Sequence, residues 1–237
     1  MISQHVSVER RDRVLVVHLD DGKANALSTT VIQAIGAALD EAEHDDSIGA
    51  VVLHGRVGRF CAGFDLTVMR GGDLAAMSAL VSDGGALVHR LYGSSVPVVA
   101  ACTGHALAAG ALVLLGCDVR IGADIECKIG LNEVAIGMVL PEWAMTIAKE
   151  RLSRRHLQLA VANAQLTDAA GAVQAGFLDE AVPGSDVLEV AVQRADGLGQ
   201  LDGRAYAGTV AALRGAVLQT MAEQIAADRS AGTVPTA

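Results

Sequence analysis

The feature of this sequence best suited to chemistry is a lone carboxylate in an apolar run. It is Glu133, within Ile129-Gly130-Leu131-Asn132-Glu133-Val134-Ala135-Ile136-Gly137-Met138. Desolvation raises a carboxyl pKa towards neutrality, where the group can take up a proton and give it back. A solvated loop glutamate or a helix cap has the same local sequence, so this stretch alone leaves both readings open. Two other segments could stabilise negative charge. In Arg59-Phe60-Cys61-Ala62-Gly63-Phe64-Asp65-Leu66, a glycine among small residues follows an apolar strand. It lets the chain turn and leaves free N–H groups at the sheet's carboxyl edge. Gly104-His105-Ala106-Leu107-Ala108-Ala109-Gly110 runs from strand to helix, again with free N–H groups at a helix start. Side by side, two such turns can donate two hydrogen bonds to one oxygen, the geometry of an oxyanion hole. Taken singly, each is a weak signal, since Gly/Ala-rich turns are more often packing devices.

The elements that must position these segments follow from hydrophobic period. Val14 to Leu19 reads as a strand ended by the turn Asp20-Asp21-Gly22. Ser28 caps a helix with Val31, Ile35, Leu39 and Ala42 on its apolar face. Ala50 to Leu53 is a strand buried on both faces. Asp73 to Tyr92 is helical, and Gly84-Gly85 within it predicts a bend or close packing. Strands are expected at Pro97 to Cys102, Val119 to Ile121 and Phe177 to Val182, and a helix at Ala111 to Leu115. Helices are expected at Trp143 to Leu152, Arg154 to Asn163 and Thr167 to Ala175, with two more after the last strand. Ser230 to Ala237 reads as a frayed tail. Strand–helix alternation predicts an α/β core over residues 1–182, and 183–237 reads as a helical region packing on that core or on another subunit.

The 237 residues are 51% apolar, enough for one substantial core, but only 3% aromatic, so Ala, Val, Leu and Ile must build it. Against 27 Asp and Glu there are 18 Lys and Arg; the net charge of -9 disfavours nucleic acid and anionic membrane as partners. It leaves room for an anionic small molecule held by local N–H groups and a few cations. Lys23 and Arg70 are candidates for such contacts, and each reads equally well as a solvated surface cation. There is no signal core and no run of ~20 apolar residues, which gives a cytoplasmic expectation. The four cysteines lack metal-site spacing and are expected as buried thiols, with no metal. His18, His54 and His105 are expected as core histidines, Asp65 as a helix cap, and Asp118 as a partner of backbone groups in the sheet. Glu142 is either a second pocket carboxylate or a first-turn helix residue.

The three segments, in this order, resemble the crotonase (enoyl-CoA hydratase/isomerase) superfamily from about Val14 to Val182. The resemblance also rests on Lys23-Ala24-Asn25-Ala26-Leu27-Ser28, Phe60 to Asp65 and Gly104 to Gly110. It implies a spiral of repeated β-β-α units, C-terminal helices used in trimerisation, and a homotrimer or dimer of trimers. It implies an acyl-CoA thioester as substrate, coenzyme A being part of that substrate and no separate cofactor being needed. The oxyanion donors would be the N–H groups of Phe64 and Ala109. Lys23, Ala24, Ala26, Ala62, Gly63, Asp65, Leu66, Gly110, Leu112 and Trp143 would contact the substrate.

Within that family, enzymes that hydrate a double bond typically carry two glutamates. Alignment places the first on Leu112, which cannot handle a proton, and the second on Glu133. Gly130-Leu131-Asn132-Glu133, followed by Pro141 and Trp143, is similar to the 3-to-2-enoyl-CoA isomerases, which also carry Leu at the Leu112 position. The resemblance therefore implies an isomerase, with a hydratase or a silent acyl-CoA-binding homologue as the alternatives.

Overall fold

The computed structural model describes residues 4–232. The chain opens with a hairpin, β1 (Val6–Arg11) antiparallel to β2 (Val14–Leu19), with Asp12 in the left-handed region at the turn. Strand β1 was not expected, because VSVERR alternates with charge; it is the edge strand of its sheet. Helix α1 (Thr29–His44) begins where expected: the Ser28 hydroxyl accepts from the Val31 N–H at 3.3 Å, and Val31, Ile35, Leu39 and Ala42 are buried.

Three passes of the chain then repeat one pattern. The first is β3 (Ala50–Gly55), β4 (Gly58–Cys61), the short α2 (Leu66–Met69) and α3 (Leu74–Tyr92). The second is β5 (Val98–Cys102), β6 (Gly104–Leu107) and α4 (Ala109–Gly116). The third is β7 (Val119–Asp124), β8 (Ile129–Gly130), a single 3-10 turn (Val134–Ile136) and α5 (Glu142–Arg151). The first strand of each pass joins a six-stranded sheet of order β1-β2-β3-β5-β7-β9, and the second joins a parallel sheet of order β4-β6-β8. This is the expected spiral of β-β-α units. The chain finishes with α6 (Arg154–Val161), α7 (Ala169–Ala175), β9 (Glu180–Pro183), α8 (Val187–Gly199) and α9 (Gly203–Ala231).

Some boundaries differ from the sequence reading for local reasons. The last strand starts at Glu180 instead of Phe177: Phe177 and Leu178 are buried in the core, and Asp179 is held by the Arg120 guanidinium at 2.6 and 2.9 Å. The first two residues of the expected tail, Ser230 and Ala231, finish α9; positions 233–237 lie outside the described residues.

Two cores flank the large sheet. On one face α8 seats Val187, Ala191 and Ala195 on Val14, Val16, Ala50, Val52, Val99, Ala101 and Ile121. On the other face lies the main core, rich in Leu, Val and Ala, with Phe60, Trp143 and Phe177 buried in it. Thus α8, although it follows residue 182, covers the sheet as part of the core. Helix α9 lies along α3 and α5. Its Arg214 donates to Asp118 Oδ1 at 2.7 Å and to the Tyr92 carbonyl at 2.8 Å, while the Tyr206 hydroxyl donates to Asp118 Oδ2 at 3.0 Å. Asp118 does bond backbone as expected, accepting from the Val98 N–H at 2.7 Å, but it is also the anchor of α9. Both members of this ion pair are nearly buried, so removing one would leave the other's charge uncompensated.

His18 and His54 face each other from β2 and β3, with Nδ1 atoms 2.9 Å apart, and burial holds the His54 pKa down at about 4. All four cysteines are free and buried. Among the described residues, no helix is long and apolar enough to cross a membrane, and no group of three His, Cys, Asp or Glu could hold a metal ion.

Candidate active site

The turn after β4 is held by an isolated bridge. Leu27 donates to the Gly63 carbonyl at 2.8 Å, and Asp65 donates back to the Leu27 carbonyl at 3.1 Å. The peptide between them therefore points its N–H, that of Phe64, away from the bridge, and no described residue accepts from it. Asp65 caps α2, accepting from the Thr67 N–H at 2.8 Å.

Across from it, Ala108 adopts φ 51°, uncommon for a residue with a side chain, and donates its N–H to the Gly130 carbonyl at 3.0 Å. This kink starts α4 at Ala109, whose N–H has no acceptor among the described residues and lies at the positive end of the helix. The two turns abut: a Cβ built on Gly63 (φ 99°) would stand 3.3 Å from the Leu107 carbonyl oxygen and 3.8 Å from the Ala109 nitrogen. Glycine at 63 is what lets the turns approach. Gly110 serves the same approach one residue on, since any side chain there would collide with the Cys61 carbonyl. It is a packing position and does not line the cavity.

The unpaired N–H groups flank a cavity of about 250 Å³ lined by Ala62, Gly63, Phe64, Leu66, Leu112, Glu133 and Trp143 among the sequence-predicted residues. Met69, Arg70, Val81, Asn132, Met138 and Pro141 also line it. The diglycine of α3 makes room for its aromatic walls: a Cβ at Gly84 would collide with the Phe64 ring, and one at Gly85 would sit 2.8 Å from the Trp143 indole. Of the two readings, close packing is the one observed.

Glu133 is 8% exposed and stands three residues past the end of β8, as the N-cap of the 3-10 turn. Burial pushes its pKa up to about 7, opposed in part by backbone N–H groups of Glu133 and Asn132. Its Oε2 has no partner, nor have Asn132 Oδ1 and Trp143 Nε1 in the same cavity. Three unpaired buried polar atoms around one cavity mark a place for a ligand or water. Glu133 is the only carboxylate among the lining residues; Glu142 is an exposed first-turn residue of α5.

A second groove of about 370 Å³ collects Lys23, Ala24, Ala26 and Asp65 and shares Ala62, Phe64 and Leu66 with the cavity. The loop that forms it is organised by two residues to which the sequence reading gave no role of their own. Asp21 accepts from the N–H groups of Lys23, Asn25 and Ala26 at 2.7, 2.8 and 3.1 Å. Asn25, at φ 53°, donates its amide to the Leu19 carbonyl at 2.7 Å. The Asp-Asp-Gly turn and a following Asn were the available signal. Arg70 falls on the cavity and Lys23 on the groove, so the two cations do not converge. A larger polar hollow of about 560 Å³ beside Arg13 and Arg204 gathers none of the predicted site residues.

Comparison with known proteins identifies the chain's relatives. The family model described as Enoyl-CoA hydratase/isomerase matches residues 9–235. The protein described as "Probable enoyl-CoA hydratase echA8" of Mycobacterium bovis is 32% identical over 210 residues, covering 86% of this chain and 79% of that protein. The crystal structure of an enoyl-CoA hydratase/isomerase family protein from Pseudomonas syringae superposes with a TM-score of 0.91 at 37% identity, covering 95% of this chain and 97% of that one. The human mitochondrial delta3-delta2-enoyl-CoA isomerase structure gives 0.91 at 31% identity, over 97% and 90% of the two chains. A pair of abutting turns with unpaired N–H groups, over a cavity holding one buried carboxyl, is thus found on a crotonase fold. The chain belongs to the enoyl-CoA hydratase/isomerase family. Hydratases and isomerases both stand among its relatives.

Proposed function

We propose that this protein moves the double bond of a 3-enoyl-CoA to the 2-position, in fatty-acid metabolism. The observation that carries the reading is the pairing of Glu133, the one cavity carboxylate, with Leu112, a wall residue of the same cavity at the position where the resemblance puts the hydratases' other glutamate. The Phe64 and Ala109 N–H groups hold the thioester oxygen. Glu133 takes the proton from carbon 2, the electrons pass into a dienolate whose charge rests on that oxygen, and the protonated Glu133 returns the proton to carbon 4. The double bond then lies between carbons 2 and 3, and the carboxylate is regenerated. A pKa of about 7 suits a group that must be base and acid in turn at neutral pH. The substrate's coenzyme A runs along the Lys23, Ala24 and Ala26 groove, which joins the cavity at Ala62 and Phe64. The resemblance extends the reading to a cytoplasmic homotrimer or dimer of trimers with no cofactor beyond the coenzyme A of its substrate.

Incubating the protein separately with a 3-enoyl-CoA and a 2-enoyl-CoA, and identifying the products, tests the reading. The 2-enoyl isomer from the first, with little hydrated product from the second, is expected. Rapid hydration of the 2-enoyl-CoA would make the protein a hydratase, and binding without turnover a silent homologue.

A further inference from the structure

Large apolar side chains stand exposed beside the cavity: Leu66 at 56%, Val134 at 46%, Ile136 at 60% and Val139 at 39%. Single exposed apolar residues are ordinary, whereas a cluster joined to a binding cavity is not. Leu66, Ile136 and Val139 line that cavity as well, so apolar side chains reach from the cavity that holds Glu133 out to solvent. The cavity's 250 Å³ is below the roughly 300–1,000 Å³ usual for ligand sites, so a long ligand does not end inside it. The 3-10 turn carrying Val134 and Ile136 has no buried residue of its own. It is held by short local hydrogen bonds: Ile136 and Met138 donate to the Glu133 carbonyl at 3.0 and 2.9 Å. An element with an apolar face and no packing partner awaits one.

We infer that the enzyme takes long-chain acyl thioesters, whose distal methylenes leave the cavity away from the coenzyme A groove and lie along a lip made by Ile136 and Val139. The inference rests on the reading that the acyl group is held beside Glu133. Continuity decides the occupant: the lip is the outer wall of the acyl cavity itself, so the group that fills the cavity reaches the lip first. A methylene laid fully against apolar surface gains up to about fourfold in affinity, so six partly covered ones give tenfold or more.

Saturated acyl-CoAs cannot react and isolate this effect. Titration calorimetry with hexanoyl-CoA and dodecanoyl-CoA is run on the full chain, on Ile136→Ser and on Val139→Ser, with light scattering of each. The wild type is expected to bind dodecanoyl-CoA about tenfold or more tightly than hexanoyl-CoA, a ratio that falls about fivefold in either variant while the mass stays constant. Equal affinities in the wild type, or a ratio preserved in both variants, would overturn the inference. A variant that changes oligomeric state would overturn it too, by making the lip a subunit contact. Because neither ligand turns over, a failure of the isomerase reading shows separately, as an absence of product from 3-enoyl-CoA.

Discussion

The indole of Trp143 lies across Gly85 of α3, with Cε2 only 2.8 Å from where a methyl group on that glycine would be. Trp143 is fully buried, whereas the half-buried Phe64 ring that crosses Gly84 can swing at its far end. The two adjacent glycines therefore respond differently to the same change. Gly85→Ala is expected to cost about 1–3 kcal/mol through overpacking and to deform the acyl cavity. Gly84→Ala gains up to roughly 1 kcal/mol in helix propensity, which offsets the smaller cost of moving Phe64. Urea unfolding of the two variants reads the difference; equal losses would mean the indole is not fixed against α3.

Replacing Glu133 with Gln keeps size and polarity but removes proton transfer. Turnover of a 3-enoyl-CoA should fall by about 100-fold or more, with acyl-CoA affinity nearly unchanged. A variant with near wild-type rates would show that another group handles the proton.

The pH dependence has a definite sign. Glu133 must be ionised to act as base, so kcat/KM should rise through about pH 7 and level off above it. Stability should move the other way. The folded-state pKa lies above the unfolded value, so the folded form binds the extra proton between about pH 4.5 and 7, and stability falls as pH rises across that window. Glu133→Gln is then expected to raise Tm at pH 8 and to have little effect on it near pH 4. A Tm difference independent of pH would contradict the burial of an ionised carboxylate.

Leu112 is 2% exposed and shares the cavity with Glu133. Leu112→Glu places a second carboxylate near the first, and the two raise each other's hold on a proton, dividing acid from base as hydration requires. The variant should gain measurable hydration of 2-enoyl-CoA and lose stability, since the new carboxyl has no partner there. A product assay beside a melting curve checks both halves.

The site was legible because its parts are local. The bends at Gly63 and Ala108 and the carboxylate at Glu133 each lie within a few residues of a strand end, and small residues announce them. What escaped depends on distant partners. Strand β1 is recognisable only by its pairing with β2, since its sequence alternates with charge. The short strands β4 and β6 lie in segments read as turns, and β8 in one read only for its carboxylate, because each is defined by a neighbour in the second sheet. Asp118 looked like a local sheet residue until Arg214, 96 positions later, supplied its partner. Cavity walls such as Val81 and Met69 carry no signal at all, being ordinary apolar residues until α2, α3 and the segment after Glu133 meet.

The central claim, one buried carboxyl carrying one proton between two carbons, is tested most directly with a 3-enoyl-CoA deuterated at carbon 2. A single turnover in ordinary water should deliver part of the deuterium to carbon 4 of the 2-enoyl product, because Glu133 is sheltered from solvent while it holds the label. Product with no deuterium at carbon 4, the label lost wholly to water, would contradict a single sheltered shuttle and show that solvent or a second group supplies the proton to carbon 4.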